Sequence, residues 1–366
     1  MSFRFAAAAS AILCAALLSG PCSAENASAE PLASPFAASA PAAKEYEAQW
    51  TNLRMGTIIT GKVFGETQEA ARHLASLVDE EIARYDDMMS VHKETALNEV
   101  NRRSGEKVPV TPEIAEMTKE ALAIADLTDS AFEPTIGPVV NLWKIGFGGD
   151  AVPSDADIQK ALRLVNHQSV EVTEENGQWF MKIGEGQNID MGAIAKGFIG
   201  QKLAEFLKAH GASHALLDLG GNVVAVGGKQ PGKPWRIGLQ SPDQARGAYF
   251  AVVNAADESV ITSGAYERNF SKNGKTYGHI LSAKTGRPVA TDLSSVTIVD
   301  KNGGRADALC TALFGMGWDR AQAFLKAHPE IRGAILSADL KRLMLSKALA
   351  PDVQIVDPSI QAVVIE

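Results

Sequence analysis

Helix-like and strand-like segments are unevenly distributed along this chain, and that distribution limits the fold more than any single motif does. From Glu66 to Met89 apolar residues recur at Leu74, Leu77, Val78, Ile82, Tyr85 and Met89 between charged ones, the spacing of an amphipathic helix. Thr111-Pro112-Glu113 supplies an N-cap, a proline at the first helical position and an early acid for a second helix whose face is Ile114, Met117, Ala121 and Ile124. Ser154 opens a third helix through Leu164, and Ile194 to His210, stopped by Gly211, forms a fourth. Strands then follow one another at 215–219, 223–226, 235–239, 250–253, 259–261, 296–299 and 334–337, punctuated by Gly, Asn and Asp. The strand–helix alternation of a doubly wound sheet is missing, so the pattern predicts an α+β fold.

The amino terminus reads as a targeting segment. Met1 and Arg4 precede an apolar run from Phe5 to Leu18 that is too short to span a bilayer, and Cys22-Ser23-Ala24 suits cleavage after Ala24. A lipid anchor on Cys22 is the competing expectation, although Pro21 stands where a small residue is usual. Residues 25–44, rich in Ala, Ser and Pro, read as a flexible linker, and residues 45–366 as one domain. Cys14 and Cys22 leave with the signal, so Cys310 has no partner for an internal disulfide. The net charge of −8 becomes −9 without Arg4, and no basic stripe remains, which argues against nucleic acid as a partner.

Four stretches hold residue types poorly suited to structure alone. In Ile189-Asp190-Met191-Gly192-Ala193-Ile194-Ala195-Lys196-Gly197 an acid, glycines and a lysine surround a helix start, where free N–H groups favour an anion. The alternative is that Asp190 caps the helix and Lys196 is solvated. Leu217-Asp218-Leu219-Gly220-Gly221-Asn222 reads as a hairpin turn, and no strand-linked GxGxxG is present to indicate a dinucleotide fold. The third stretch runs from Thr262-Ser263-Gly264 through Gly278-His279-Ile280-Leu281 to Lys284-Thr285-Gly286-Arg287-Pro288. His279 in such a setting is by base rate a structural histidine. The fourth is Arg305 to Leu313, where Asp307 and Thr311 share a helix face and offer two hard oxygen donors suited to Mg²⁺.

In this order and at these separations the segments resemble the ApbE family, the FAD:protein FMN transferases. The resemblance runs from Met55-Gly56-Thr57 to about Gly317 and takes in Ser90, Asn101, the Phe132–Pro138 stretch, Leu142-Trp143, Asp190, Gly220-Gly221-Asn222, Thr262-Ser263-Gly264, His279-Ile280 and Ala306-Asp307-Ala308. It implies a T-fold-like α+β enzyme, its helices packed on largely antiparallel sheets. Such an enzyme takes FAD and Mg²⁺, releases AMP and attaches FMN to a threonine or serine of another protein. The implied acceptor is an exported or membrane-bound flavoprotein, typically a subunit of a membrane redox complex, which agrees with export to the periplasm and brings the chain near a membrane through that acceptor.

Carried over residue by residue, Met55, Gly56 and Thr57 match an FAD-contacting opening strand, and Ala131, Phe132 and Glu133 a loop that holds the flavin nucleotide. Asp190, Lys196 and Leu281 match further FAD contacts, and the Mg²⁺ ligands implied are the Ala193 carbonyl with the Asp307 and Thr311 side chains. Asp307 thereby serves catalysis through the metal, and His279 is the candidate general base for the acceptor hydroxyl. The chain departs from the family pattern at several positions. His92 replaces an aromatic residue, so its flavin contact offers less stacking surface. Glu133 stands where Asp is common, Ser282-Ala283 where Asp-Pro is usual, and Cys310 where some members carry an acid. Two alternatives stay open: an Mg²⁺-dependent FAD pyrophosphatase giving FMN and AMP, and a non-enzymatic FAD-binding carrier.

Overall fold

The computed structural model describes residues 45–366 except 91–92, 147, 150, 231, 246, 265–268 and 273. The first described elements are strands, which helical patterning gave no reason to expect. β1 (Tyr46–Arg54) and β2 (Thr57–Gly65) form an antiparallel hairpin with Arg54 opposite Thr57. Met55 and Gly56 make its two-residue turn with φ of 50° and 68°, both in the left-handed region that such hairpin turns require. Met55-Gly56 is thus the turn, and Thr57 begins the second strand.

The helices start where the capping residues place them. Thr67 Oγ1 accepts the Ala70 N–H (3.0 Å) at the head of α1 (Gln68–Met88), which buries Leu74, Val78, Ile82 and Tyr85. α2 (Ala96–Arg102) and the short β3 (Val108–Val110) lead to α3 (Pro112–Leu127), capped by Thr111 with Pro112 in its first turn. α4 (Gly137–Trp143), α5 (Asp155–Leu162, capped by Ser154) and a 3₁₀ turn at His167–Ser169 precede β4 (Glu171–Glu175) and β5 (Gln178–Lys182). α6 spans Ala195–Ala209 and ends at His210, before Gly211 with φ of 86°.

The rest of the chain is strand-rich: β6 (Ala215–Leu219), β7 (Asn222–Val226), β8 (Trp235–Gln240), β9 (Tyr249–Ala255), β10 (Glu258–Gly264), β11 (Asn269–Lys272), β12 (Lys275–Gly278) and β13 (Leu293–Asp300). After α7 (Gly303–Met316) and α8 (Trp318–Ala327) come β14 (Arg332–Ser337), β15 (Arg342–Ser346), β16 (Val353–Ile355) and β17 (Gln361–Ile365). A nine-stranded sheet runs β1-β2-β6-β7-β10-β13-β14-β15-β17, with smaller sheets β16-β9-β8, β3-β5-β4 and β11-β12. Every neighbour pair in the large sheet is antiparallel except β15 with β17. The α+β architecture is as the sequence predicts, and the tail contributes β15 to β17.

At its centre the large sheet is covered on both faces. Ile261, Val296 and Ile298 pack with Leu309, Cys310 and Leu313 of α7, whereas Val260 and Val299 face Trp235, Ile237 and Val253 of the β8–β9 pair. Adjacent strand residues point to opposite faces, so cover on both faces explains why β13 is buried along nearly its whole length. Among the described residues no helix is long and apolar enough to cross a membrane.

Candidate active site

α6 and α7 pack closely enough for their backbones to touch. A Cβ on Gly197 would lie 2.1 Å from the Gly303 carbonyl oxygen, and one on Gly303 would lie 2.2 Å from the Gly197 carbonyl oxygen. Only glycine permits this approach at both positions. It carries Asp307, one turn into α7, to the head of α6. There Asp307 Oδ2 accepts the Gly197 N–H at 2.8 Å and the Asn222 Nδ2–H at 3.1 Å. Gly197 is in the first turn of α6, where backbone N–H groups have no helical acceptor, and the N-cap residue Ile194 offers no side-chain bond. Asp307 therefore caps α6 from another helix. Asp190 does not; its Oδ1 accepts the Gly192 N–H at 2.7 Å within its own turn.

The Asp307 carboxylate is buried, with 4% of its surface exposed. Burial raises its pKa above the ordinary aspartate value, against the opposing pull of the Lys196 charge and the hydrogen bonds from Gly197 and Asn222. Both of those hydrogen bonds fall on Oδ2, and among the described residues no donor is assigned to Oδ1. The Ala193 carbonyl, just before the α6 cap, likewise accepts no backbone hydrogen bond from the described residues. Thr311 lies one turn further along α7 and is half-buried. Among the described residues no three His, Cys, Asp or Glu side chains cluster as metal ligands. A cation at this corner would thus rely on one carboxylate with carbonyl and hydroxyl oxygens, a donor set that fits a hard divalent ion.

The other predicted residues reach this corner along separate routes. Gly220 and Gly221 turn β6 into β7 with φ of 73° and 101°, and a Cβ on Gly220 would stand 2.2 Å from Thr57 Oγ1. The two hairpin turns are therefore neighbours at one end of the sheet, with Asn222 leading from them to Asp307. Met55 is fixed there by its N–H to Asp86 Oδ1 of α1 at 2.8 Å. The 131–137 loop lies against the Asp190 segment: Pro134 O accepts the Asp190 N–H at 2.8 Å and Asn188 O accepts the Gly137 N–H at 3.2 Å. Asn101 holds the same segment by bonding both the carbonyl and the N–H of Ile189, at 2.9 and 2.7 Å. Burial raises the pKa of Asp190 as well, opposed by the Gly192 N–H.

The remaining predicted residues have surroundings of their own. Phe132 is buried in the core. Glu133 turns its carboxylate inward, onto Thr135 and His167. Leu281 buries its side chain with Val139, Trp143 and Ile158, a cluster separate from the one that contains α7. His279 follows β12 and is half-buried in the turn that leads to Leu281. Cys310 is buried, its thiol donating to the Ile261 carbonyl at 3.1 Å. His92 lies outside the described residues. Asn222, Gly197 and Gly303 were not singled out individually from sequence, although the run of Gly197 and Lys196 at a helix start marked the place.

The sequence profile of the ApbE family matches residues 55–335. Over 284 residues the chain is 35% identical to an FAD:protein FMN transferase of Klebsiella pneumoniae, covering 77% of this chain and 86% of that relative. It is 32% identical over 320 residues to the FAD:protein FMN transferase of Treponema pallidum, covering 83% of this chain and 88% of the relative. The solved structure of the flavin transferase ApbE from Vibrio cholerae superposes with a TM-score of 0.72 at 28% identity, over 84% of this chain and 100% of that one. With the matched region running from the β1–β2 turn to β14 and enclosing the whole α6–α7 corner, the chain belongs to the ApbE family.

Proposed function

We propose that this chain is an FAD:protein FMN transferase that moves FMN from FAD to a threonine or serine hydroxyl of another protein and releases AMP. The observation that carries the reading is Asp307: a buried carboxylate with one oxygen satisfied by Gly197 and Asn222 and the other given no donor among the described residues. Asp307 Oδ1, Thr311 and the Ala193 carbonyl are the groups that would hold Mg²⁺. Bound there, the metal supplies charge neutralisation of the FAD diphosphate and of the departing phosphate.

The protein's own residues have distinct tasks. Lys196, at the head of α6, gives the diphosphate a positive partner. The 55–57 turn and the 131–133 loop seat the flavin nucleotide, with Asp190 and Leu281 at its borders. His279 accepts the proton of the acceptor hydroxyl as that oxygen bonds to the FMN phosphorus. The bond from this phosphorus to the bridging oxygen breaks, and AMP leaves with that oxygen. Cleavage of the signal after Ala24 would deliver the 45–366 domain to the periplasm, where flavoprotein subunits of membrane redox complexes present suitable hydroxyls.

The test is mass spectrometry of a threonine-bearing flavoprotein acceptor incubated with the chain and FAD, with and without chelator. A covalent FMN increment that disappears with chelator is expected. Free FMN and AMP alone would indicate a pyrophosphatase, and FAD bound but intact a carrier; either replaces the transferase reading.

A further inference from the structure

Behind the 131–137 loop lies a second polar cluster, drawn from two distant parts of the chain and separate from the α6–α7 corner. His167 places Nδ1 2.7 Å from Glu133 Oε2 and Nε2 3.0 Å from Asp126 Oδ1. The other Glu133 oxygen accepts from Thr135 twice, from its N–H at 3.0 Å and its hydroxyl at 2.7 Å. The Thr135 hydroxyl oxygen in turn accepts the Asn166 N–H at 2.9 Å. The Gln168 amide nitrogen lies 2.5 Å from Asp126 Oδ1 and 3.0 Å from His167 Nε2.

Donor and acceptor chemistry orders this cluster. An ionised carboxylate only accepts, so Nδ1 facing Glu133 carries a proton in every state of the ring. The Nε2 arm changes with protonation: it donates to Asp126 when the ring is charged and accepts from Gln168 when it is neutral. The grip on Glu133 therefore persists, and it acts on a loop with two working sides. On its far side Pro134 O holds the Asp190 N–H, and the Ala131 carbonyl oxygen would stand 3.9 Å from a Cβ on Gly315 of α7. An aspartate at position 133 would fall one methylene short of His167.

We propose that His167 is a positioning residue: by gripping Glu133 through Nδ1 it fixes the 131–137 loop against the Asp190 segment, and so sets how tightly FAD is seated. The inference rests on the transferase reading above. The loop is tied at both ends of its turn, by Thr135 to the Asn166 backbone and by Glu133 to the His167 ring. Loss of the ring donor leaves a buried carboxylate oxygen without its partner, and the cost falls on the loop that carries Glu133.

The test uses the full-length protein with His167→Leu, His167→Asn and Glu133→Asp, measuring KM for FAD and kcat from AMP release. His167→Leu should raise KM about tenfold with kcat within about twofold, the loss of a charge-assisted hydrogen bond that positions the loop but does not join the chemistry. His167→Asn keeps an N–H near the Nδ1 position and should recover most of that loss. Glu133→Asp should resemble His167→Leu and move the His167 ring titration, followed by NMR, to lower pH. An unchanged KM in His167→Leu, an Asn variant as impaired as the Leu variant, or a defect confined to kcat would overturn the proposal. Should His167→Leu fail to fold, the Asn and Glu133→Asp variants decide. If the wild type leaves FAD intact, the transferase reading fails separately, and the same ranking of variants read as Kd for FAD still tests the clasp; a wild type that binds no FAD overturns both.

Discussion

Asp307 and Glu133 are both buried carboxylates, with 4% and 6% of their surfaces exposed, yet their surroundings differ in kind. Glu133 has both oxygens filled, one by Thr135 and the other by the His167 ring. Among the described residues Asp307 has two neutral donors on one oxygen and the Lys196 charge at longer range. A buried anion is costly unless it is paired, so a carboxylate whose oxygens are all used holds structure together, whereas one left partly unpaired is kept for something else to bind. The loop around Glu133 is a mounting, and the corner around Asp307 is where a cation and a diphosphate fit.

That contrast breaks most sharply at Asp307. Asp307→Asn keeps an oxygen for the Gly197 N–H and should fold normally by circular dichroism, while AMP release from FAD falls about 10³-fold. Full turnover in the folded variant would end the distinction between the two carboxylates. Next is Gly197→Ala, which places a methyl against the Gly303 carbonyl at a contact of 2.1 Å. Forcing the helices apart should cost about 2–3 kcal/mol in urea unfolding and lower AMP release as Asp307 leaves the α6 head. Asn222→Ala removes one of the two donors to Asp307 and should cost about 1–2 kcal/mol by the same assay. Mg²⁺ should raise the Tm of the wild type but not that of Asp307→Asn, since a ligand stabilises only the state that binds it.

The smallest effect concerns pH. Burial alone would lower the pKa of His167, but hydrogen bonds to Glu133 and Asp126, together with their charges, outweigh it and raise the pKa above 6.5. Glu133 and Asp126 are the charged groups that face its ring. With the folded value above the unfolded one, the stabilisation is complete below pH 6.5 and is lost as pH rises through the raised value. Chemical unfolding at stepped pH should show stability declining across that window in the wild type and flat in His167→Asn. An equal decline in the variant would assign the effect to another group.

Local chemistry was enough to read α1, α3 and α5 from sequence, because Thr111 and Ser154 cap helices whose apolar faces follow at helical spacing. The opening hairpin was hidden because β1 mixes Glu47, Gln49 and Asn52 with only Ala48 fully buried. β4 is nearly all polar and exposed, so it is a strand through pairing with β5 and not through its own pattern. The candidate site was legible as a set of ordered segments, but its working parts are long-range. Asp307 caps a helix that begins more than a hundred positions earlier, and Glu133 meets a histidine beyond two further helices. Nothing in the local sequence around Asn222 or His167 announces which carboxylate each will meet.

The most direct test of the central claim is a crystal grown with FAD and Mn²⁺ in place of Mg²⁺, in which the metal is located by its anomalous signal. A peak about 2.1 Å from Asp307 Oδ1 and from an oxygen of the FAD diphosphate, with Ala193 O and Thr311 Oγ1 completing the shell, is the predicted result. A metal seated elsewhere on the diphosphate, with Asp307 still holding only Gly197 and Asn222, would contradict it.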